Sequence, residues 1–235
     1  MVEDEREQRS LGDGEQRGPT LQEWVYRQLR HAIMCGHFVP GHAVTMRGVA
    51  RMLDVSPMPV REALRRLVAE GALALLPNRR VAVPAMPPAR FDELCSARIA
   101  LETVAAERAL PGIDADRLAL LRDIDAQLDE AIARDDVEGY MLKNLEFHQS
   151  LYSAVPSQVL LPLIEGLWLQ FGPFMRHVLT KYRSGPYIDR HKEATEAIAA
   201  RDGYALRVAI EADIRDGAGA LGREAFLAAS RDVAE

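Results

Sequence analysis

Cysteine is nearly missing from this 235-residue chain, with Cys35 and Cys95 the only two. Two thiols without paired ligand spacing make neither a zinc finger nor a disulfide framework, and they read as buried, reduced thiols of a cytoplasmic protein. Long apolar runs are missing as well: no stretch reaches eighteen residues, so no membrane-spanning helix is expected. The first nineteen residues, MVEDEREQRSLGDGEQRGP, lack the apolar segment of a signal peptide and read as an acidic, disordered tail. Aromatic residues make up 6% of the chain, low for a β-sandwich and ordinary for a helical protein. No GxGxxG loop, Walker-type loop or Ser-His-Asp set occurs, which counts against nucleotide-dependent or triad hydrolytic chemistry. An excess of positive charge is also lacking. Lys plus Arg number 29 against 35 Asp plus Glu, a net charge of −6 that argues against nucleic-acid binding while the chain is taken as one unit.

Apolar residues supply 48% of the chain, enough for a real core, and the pattern divides it. Residues 1–19 are the tail, and 20–83 are a compact block. Residues 84–89, with Pro84, Pro87 and Pro88, are an extended linker. Residues 90–235 are rich in Ala, Leu, Glu and Arg with apolar spacing of three and four, the mark of helices. Pro111-Gly112, Asp114, Asp135 or Asp136, Ser157, Ser184-Gly185-Pro186 and Asp202-Gly203 punctuate this last stretch into six helices. Pro162 falls in the first turns of the fourth and Pro173 is a candidate kink. Six helices without a strand signal predict an antiparallel bundle. Charge divides along the same lines, with −3 on the tail, +5 on residues 20–83 and −8 on the remainder.

Within the basic block, Val25, Leu29, Ala32 and Ile33 mark one face of a first helix. Met46 to Leu53 is a short second helix capped by Thr45. Asp54-Val55-Ser56 is a tight turn into a third, which places Val60, Ala63, Leu64, Leu67 and Val68 on one side and Arg61 and Arg65 on the other. This is helix-turn-helix spacing. The period then changes. Leu73–Leu76 and Val81–Val83 flank Pro77-Asn78-Arg79-Arg80, a hairpin with two arginines at its tip, and the whole is a winged helix-turn-helix. Taken alone, an arginine pair on an amphipathic helix is as often only a solvated face.

The stretch MRGVARMLDVSPMPVREALRRLVAEGAL, preceded by LRHAIMCGHFVPG, resembles the GntR superfamily of bacterial transcriptional regulators. The resemblance implies DNA contacts from Arg47, Ser56, Met58 and Arg61, with Asn78, Arg79 and Arg80 forming the wing tip; Arg65, on the same outward face as Arg61, is expected to join them. Two residues depart from the common pattern. Pro57 stands where many members have arginine and Asn78 where many have glycine, so a relative's operator sequence does not carry over.

The second domain resembles the all-helical, FCD-type effector domain of the FadR/VanR-like subfamily through Arg98-Ile99-Ala100-Leu101-Glu102, Asn144-Leu145-Glu146-Phe147-His148, His191 and the final helix. Length excludes the branch that carries an aminotransferase-sized partner. Members of the subfamily commonly hold a metal through Asp, His, His and His, with small carboxylates beside it. The matching positions here are Asn144, His148, His191 and Asp213. Two imidazoles and a carboxylate suffice for zinc first, or for nickel, manganese or iron, with the amide a weak fourth ligand. From spacing alone the two histidines read as core residues satisfied by hydrogen bonds. Arg98 matches a cavity-facing position suited to a ligand carboxylate, and an ion pair with Glu102 four residues on is the equally ordinary alternative. Phe171, Phe174, Arg176 and His177 lie on the fourth helix of the bundle, either lining the cavity or, for the aromatics, filling core. Arg98, Glu102, Phe171 and Arg176 are the expected effector contacts.

These features predict a mostly α protein, an N-terminal winged helix-turn-helix followed by a six-helix bundle. The expected activity is ligand-responsive transcriptional regulation, as a repressor rather than an activator. The expected partners are a palindromic DNA operator, a second copy of the chain and a small carboxylate-bearing metabolite near a divalent metal ion, with no membrane. Two competing readings are a metal-dependent enzyme in the bundle, which leaves the basic block unexplained, and a winged-helix adaptor that binds protein instead of DNA.

Overall fold

The computed structural model describes residues 20–38, 40, 43–76, 80–181, 189–220, 222, 223 and 225. Helix α1 (Leu21–Met34) opens on Thr20, whose hydroxyl accepts from the Glu23 amide at 3.2 Å. Helix α2 (Met46–Met52) opens on Thr45, which accepts from the Gly48 amide at 3.0 Å. Such caps satisfy backbone donors that the first helical turn leaves without a partner. The chain then turns through Asp54, whose φ of 52° is a left-handed conformation that a short polar side chain tolerates. Helix α3 (Pro57–Ala69) follows, with a proline at its first position, where a missing N–H costs nothing. Ser56 holds the cap position of α3 without a side-chain cap bond. Val25, Leu29, Ile33, Val49, Val60, Leu64, Leu67, Leu73 and Val81 close over one another as the core of this block.

The expected hairpin forms from β2 (Ala74–Leu75) and β3 (Val81–Ala82), paired antiparallel and closed by the Leu76 amide on the Arg80 carbonyl at 2.8 Å. A third strand that the sequence did not announce, β1 (Ala43–Val44), pairs on the other side of β3, giving the order β1-β3-β2. Two residues are too few to display a period of two, so only the tertiary pairing reveals it. The wing-tip residues Asn78 and Arg79 lie outside the described residues.

Among its described residues the second domain contains α4 (Pro88–Ala109), α5 (Ala115–Ala133), α6 (Val137–Tyr152), α7 (Leu160–Lys181), α8 (His191–Ala199) and α9 (Gly203–Ala212), in line with the six expected helices. Asp114, Asp136 and Asp202 cap α5, α6 and α9, each carboxylate accepting the amide three residues on. The linker is shorter than anticipated, because Pro88 is already the first residue of α4. Helix α4 packs against α6, α7 and α9, while α5 packs against α6 and α8. Among the described residues the second domain contains no strand. After α9 the helix continues through one wide, π-type segment, Asp213–Gly219.

The two domains share one continuous apolar cluster. Helix α1 also lies against α7. At that crossing a Cβ on Gly172 would sit 2.1 Å from the Met34 carbonyl oxygen. Gly36, just past the end of α1 at φ +74°, leaves no room for a Cβ beside Arg176. Arg30 of α1 bonds Glu165 of α7 at 2.8 Å and Tyr26 at 2.8 Å. Both cysteines are free and buried, as expected, and burial pushes each thiol up to about 11.

Candidate functional site

The exposed face of the winged block carries the residues picked out from the sequence. Arg47, Ser56, Met58, Arg61, Arg65 and Arg80 are all exposed. Arg61 and Arg65 project from α3 with 53% and 76% of their side-chain surface open, on the face opposite Val60, Leu64 and Leu67. Glu62 lies between them at 3.8 and 3.7 Å, surface contacts too loose to withhold either guanidinium from a phosphate or a base edge. Arg61 also touches the Met58 sulfur at 2.7 Å, which groups the first turn of α3 into one unit. At the base of the wing, Arg80 reaches the Ala43 carbonyl at 3.5 Å. A helix of this kind, short-turned against a supporting helix and bare of apolar cover on its outer face, has the dimensions to enter a major groove.

A second constellation is buried in the bundle. His148 is on α6, His191 is the first residue of α8, and Asp213 is the first residue of the π-type segment. All three are buried, and one ligand atom from each lies within 4.8 Å of the others. His148 Nε2 is 3.2 Å from Asp213 Oδ2, and His191 Nε2 is 3.4 Å from His148 Nε2 and 3.9 Å from Asp213 Oδ1. Burial resists ionisation of Asp213, but its contact with His148 and the neighbouring imidazoles outweigh it and hold the carboxyl well below the usual range. For His191 burial acts to lower the pKa, and Asp125, Asp213 and Asp189 overcome it to raise the ring above the usual histidine value. Widened π-type turns recur at functional sites, and here one begins at the carboxylate that faces the two rings.

Asn144 is one turn before His148 on α6. It lines an adjacent cavity of about 30 Å³ together with Arg98, Phe171, Met175 and Asp213. That volume has room for a water or an ion, not for a metabolite.

Arg98 and Glu102 face each other as the ion pair that their spacing allowed. Arg98 Nε donates to Glu102 Oε1 at 2.6 Å, with the side chains 3% and 0% exposed. The guanidinium also stacks over Trp168 and Phe171 at 4.4 and 4.6 Å. Burial would discharge Arg98, but Glu102 outweighs it and the pKa is raised. Glu102 further accepts from Tyr152 at 2.9 Å and from the Trp168 indole at 3.2 Å. Phe171 lines the small cavity and stacks on Phe91, whereas Phe174 packs against Phe91 as core. Arg176, expected among the effector contacts, is held by partners outside the small cavity. It sits at the junction with α1, donating to the Cys35 carbonyl at 3.4 Å and to Glu138 at 3.0 Å, because it leaves α7 on the side facing the winged block. His177 is not among the residues lining either cavity.

Three groups escaped the sequence reading. Tyr152 bonds His148 Nδ1 at 2.9 Å, and its position four residues after the histidine was a readable signal. Asp125 Oδ1 of α5 lies 3.4 Å from His191 Nδ1, without the alignment of a hydrogen bond, and nothing local pointed to it. A wider cleft of about 310 Å³ between α6 and α7 is lined by His148, Tyr152, Trp168 and Glu165, with Met34 of α1 at its edge.

The family model for bacterial regulatory proteins of the gntR family matches residues 21–83, and the FCD domain model matches residues 93–216. The chain is 30% identical over 167 residues to the HTH-type transcriptional regulator McbR of Escherichia coli, covering 71% of this chain and 76% of that one. It is 26% identical over 194 residues to the HTH-type transcriptional repressor RspR of Escherichia coli, covering 82% and 85%. Among solved structures it is similar to E. coli McbR/YncC, with TM-score 0.77 at 25% identity over 87% of this chain and 98% of that one. A GntR regulator structure from Rhodococcus gives TM-score 0.68 at 27% identity, over 85% and 96%.

Proposed function

This chain belongs to the GntR family of DNA-binding transcriptional regulators, in the group whose second domain is of the FCD type, and is not an enzyme; from that premise we propose how it works. It is a metal-containing sensor of a small carboxylate-bearing metabolite, acts as a repressor in the cytoplasm, and binds a palindromic operator as a two-fold dimer. The observation that supports the sensing half is the convergence of three atoms able to ligate a metal, His148 Nε2, His191 Nε2 and an Asp213 oxygen, in a buried space. A His148 Nε2–H meets Asp213 at 3.2 Å as a hydrogen bond, and once that proton leaves, the same three atoms form a donor set that fits a divalent ion. Two nitrogens and a carboxylate oxygen favour zinc.

When bound, the ion supplies positions at which a carboxylate can coordinate. The rest is the work of the chain. The small cavity on the Asp213 side is too small for a metabolite, so a ligand carboxylate that reaches Arg98 from that side requires Phe171 or Met175 to move. A ligand carboxylate that draws Arg98 away leaves Glu102 uncompensated in the core, and Glu102 is tied to Trp168 of α7. Helix α7 also holds the winged domain directly, through Glu165 to Arg30 and through the Gly172 contact with Met34. Signal thus passes across a packed helix pair as well as along the linker. A coupling of about 1–3 kcal/mol is enough to change operator occupancy substantially.

The test is metal analysis of full-length protein purified without chelator, paired with retention of DNA flanking its own gene in the presence of small mono- and dicarboxylates. One zinc-class ion per chain is expected, lost in His148→Ala, with retention altered by a carboxylate. Protein that contains no ion yet still responds to a carboxylate overturns the metal reading. Sedimentation of the DNA complex as one chain per site overturns the dimer.

A further inference from the structure

A histidine binds an ion through a nitrogen that carries no proton, so a two-histidine centre works only if each ring keeps its proton on the far side. The groups facing each Nδ1 show where that proton is best held. Glu102 is paired with Arg98 and is therefore an acceptor only. Tyr152 has a single hydrogen and two neighbours at 2.9 Å, Glu102 Oε2 and His148 Nδ1. If that hydrogen pointed to the ring, two oxygens would face each other at 2.9 Å with nothing between them. Tyr152 therefore donates to Glu102 and accepts from His148 Nδ1–H, so the nitrogen that gives up its proton to an ion is Nε2, which faces Asp213 and His191.

The second ring is treated the same way from another direction. Asp125 faces His191 Nδ1 at 3.4 Å, and a carboxylate can meet that nitrogen only as an acceptor of its N–H. Phe147 stacks on the His191 ring at 3.8 Å and 16°, which fixes the plane in which Nδ1 and Nε2 point. Asp189 accepts from the His191 amide at 3.3 Å and anchors the backbone of the same residue. Nδ1 is buried and lacks an aligned partner, so a small rotation of the ring or of Asp125 completes the bond when Nε2 is engaged.

We propose that Tyr152 and Asp125 are the positioning residues of the centre: they hold the protons of His148 and His191 on Nδ1 so that both Nε2 atoms point inward as ligands. The inference rests on the metal reading above and extends it to two residues that touch no ion themselves. It also gives the buried Arg98–Glu102 pair a second consequence, because Glu102 is what keeps the Tyr152 hydrogen turned away from His148.

The experiment is zinc titration of the full-length chain, with zinc alone as the probe, in wild type, Tyr152→Phe and Asp125→Asn. Each variant is expected to keep one zinc per chain and to bind it about 10–100-fold more weakly, the usual cost of losing an outer partner of a ligating histidine. Nitrogen-detected imidazole spectra of the zinc-free protein are expected to show the Nδ1–H form of His148 in wild type and its loss in Tyr152→Phe. A merely structural tyrosine would leave that signature unchanged. Asp125→Asn, altered at a partly exposed site, remains informative if Tyr152→Phe fails to fold. Wild type that binds no zinc overturns the centre itself. Wild type that binds while both variants bind within about twofold of it overturns the positioning role alone. Two zinc ions in wild type falling to one in Asp125→Asn would make Asp125 a ligand on the Nδ1 side, which also overturns it.

Discussion

Replacing Gly172 by alanine probes the contact through which the bundle holds the winged domain. A Cβ built on Gly172 lies 2.1 Å from the Met34 oxygen, 2.8 Å from its carbonyl carbon and 3.0 Å from its Cα, against the 3.4–4 Å of ordinary contact. The obstacle is backbone, so no side chain can swing aside, and α1 must move off α7 by more than 1 Å. Overpacking of this kind costs about 1–3 kcal/mol, while the change from glycine to alanine inside a helix returns about 1 kcal/mol. Gly166, in the same helix, is the control, because nothing lies within 4 Å of its added Cβ. Gly166→Ala is expected to stabilise by up to about 1 kcal/mol, and Gly172→Ala to be neutral or to destabilise by up to about 2 kcal/mol. At roughly 2–4 °C of Tm per kcal/mol for a chain of this size, calorimetry separates the two variants by several degrees. In retention assays Gly172→Ala is expected to keep operator affinity, since α3 is untouched, and to lose its response to the effector. A Tm for Gly172→Ala at or above that of Gly166→Ala refutes the docking of α1 on α7.

Arg61→Ala and Arg65→Ala are expected to weaken operator retention without changing Tm, each lowering the salt slope by about one unit for a lost phosphate contact; normal affinity in Arg61→Ala would remove that residue from the interface. Arg98→Met strands Glu102 in the core and is expected to cost about 3–5 kcal/mol, whereas Arg98→Met with Glu102→Leu costs much less; equal losses by chemical denaturation would refute a paired burial. The proposed ion competes with protons for His191, whose pKa is raised above the ordinary 6.5. Uptake therefore releases protons, and zinc affinity is expected to keep increasing as pH climbs past that value, in a window higher than an unperturbed histidine would give; a flat profile between about pH 6 and 8 would refute it. Cys35 and Cys95, with thiols at about 11, are expected to react with a disulfide reagent only after unfolding.

The net charge of −6 described neither half of the molecule, yet the sequence by itself determined the division. Local chemistry was enough wherever the signal sits within a few residues. Thr45, Asp114, Asp136 and Asp202 start helices because a side-chain oxygen reaches an amide three residues away. Arg61 and Arg65 face outward because Val60, Leu64 and Leu67 must face inward on a period of 3.6 residues. His148 and Tyr152 could be placed on one face by the same count.

What only the tertiary structure decided depends on residues far apart in sequence. β1 exists because β3 lies beside it, although a two-residue strand has no pattern of its own. Asp125 meets His191 across 66 positions, and Arg30 meets Glu165 across 135. Arg176 meets the Cys35 carbonyl across 141 positions, a contact no local pattern announces. Periodicity states which face of a helix is inside, and it carries no information on which other helix will meet that face. That choice belongs to packing, where a backbone carbonyl, a glycine and a buried carboxylate had to fit one another in three dimensions.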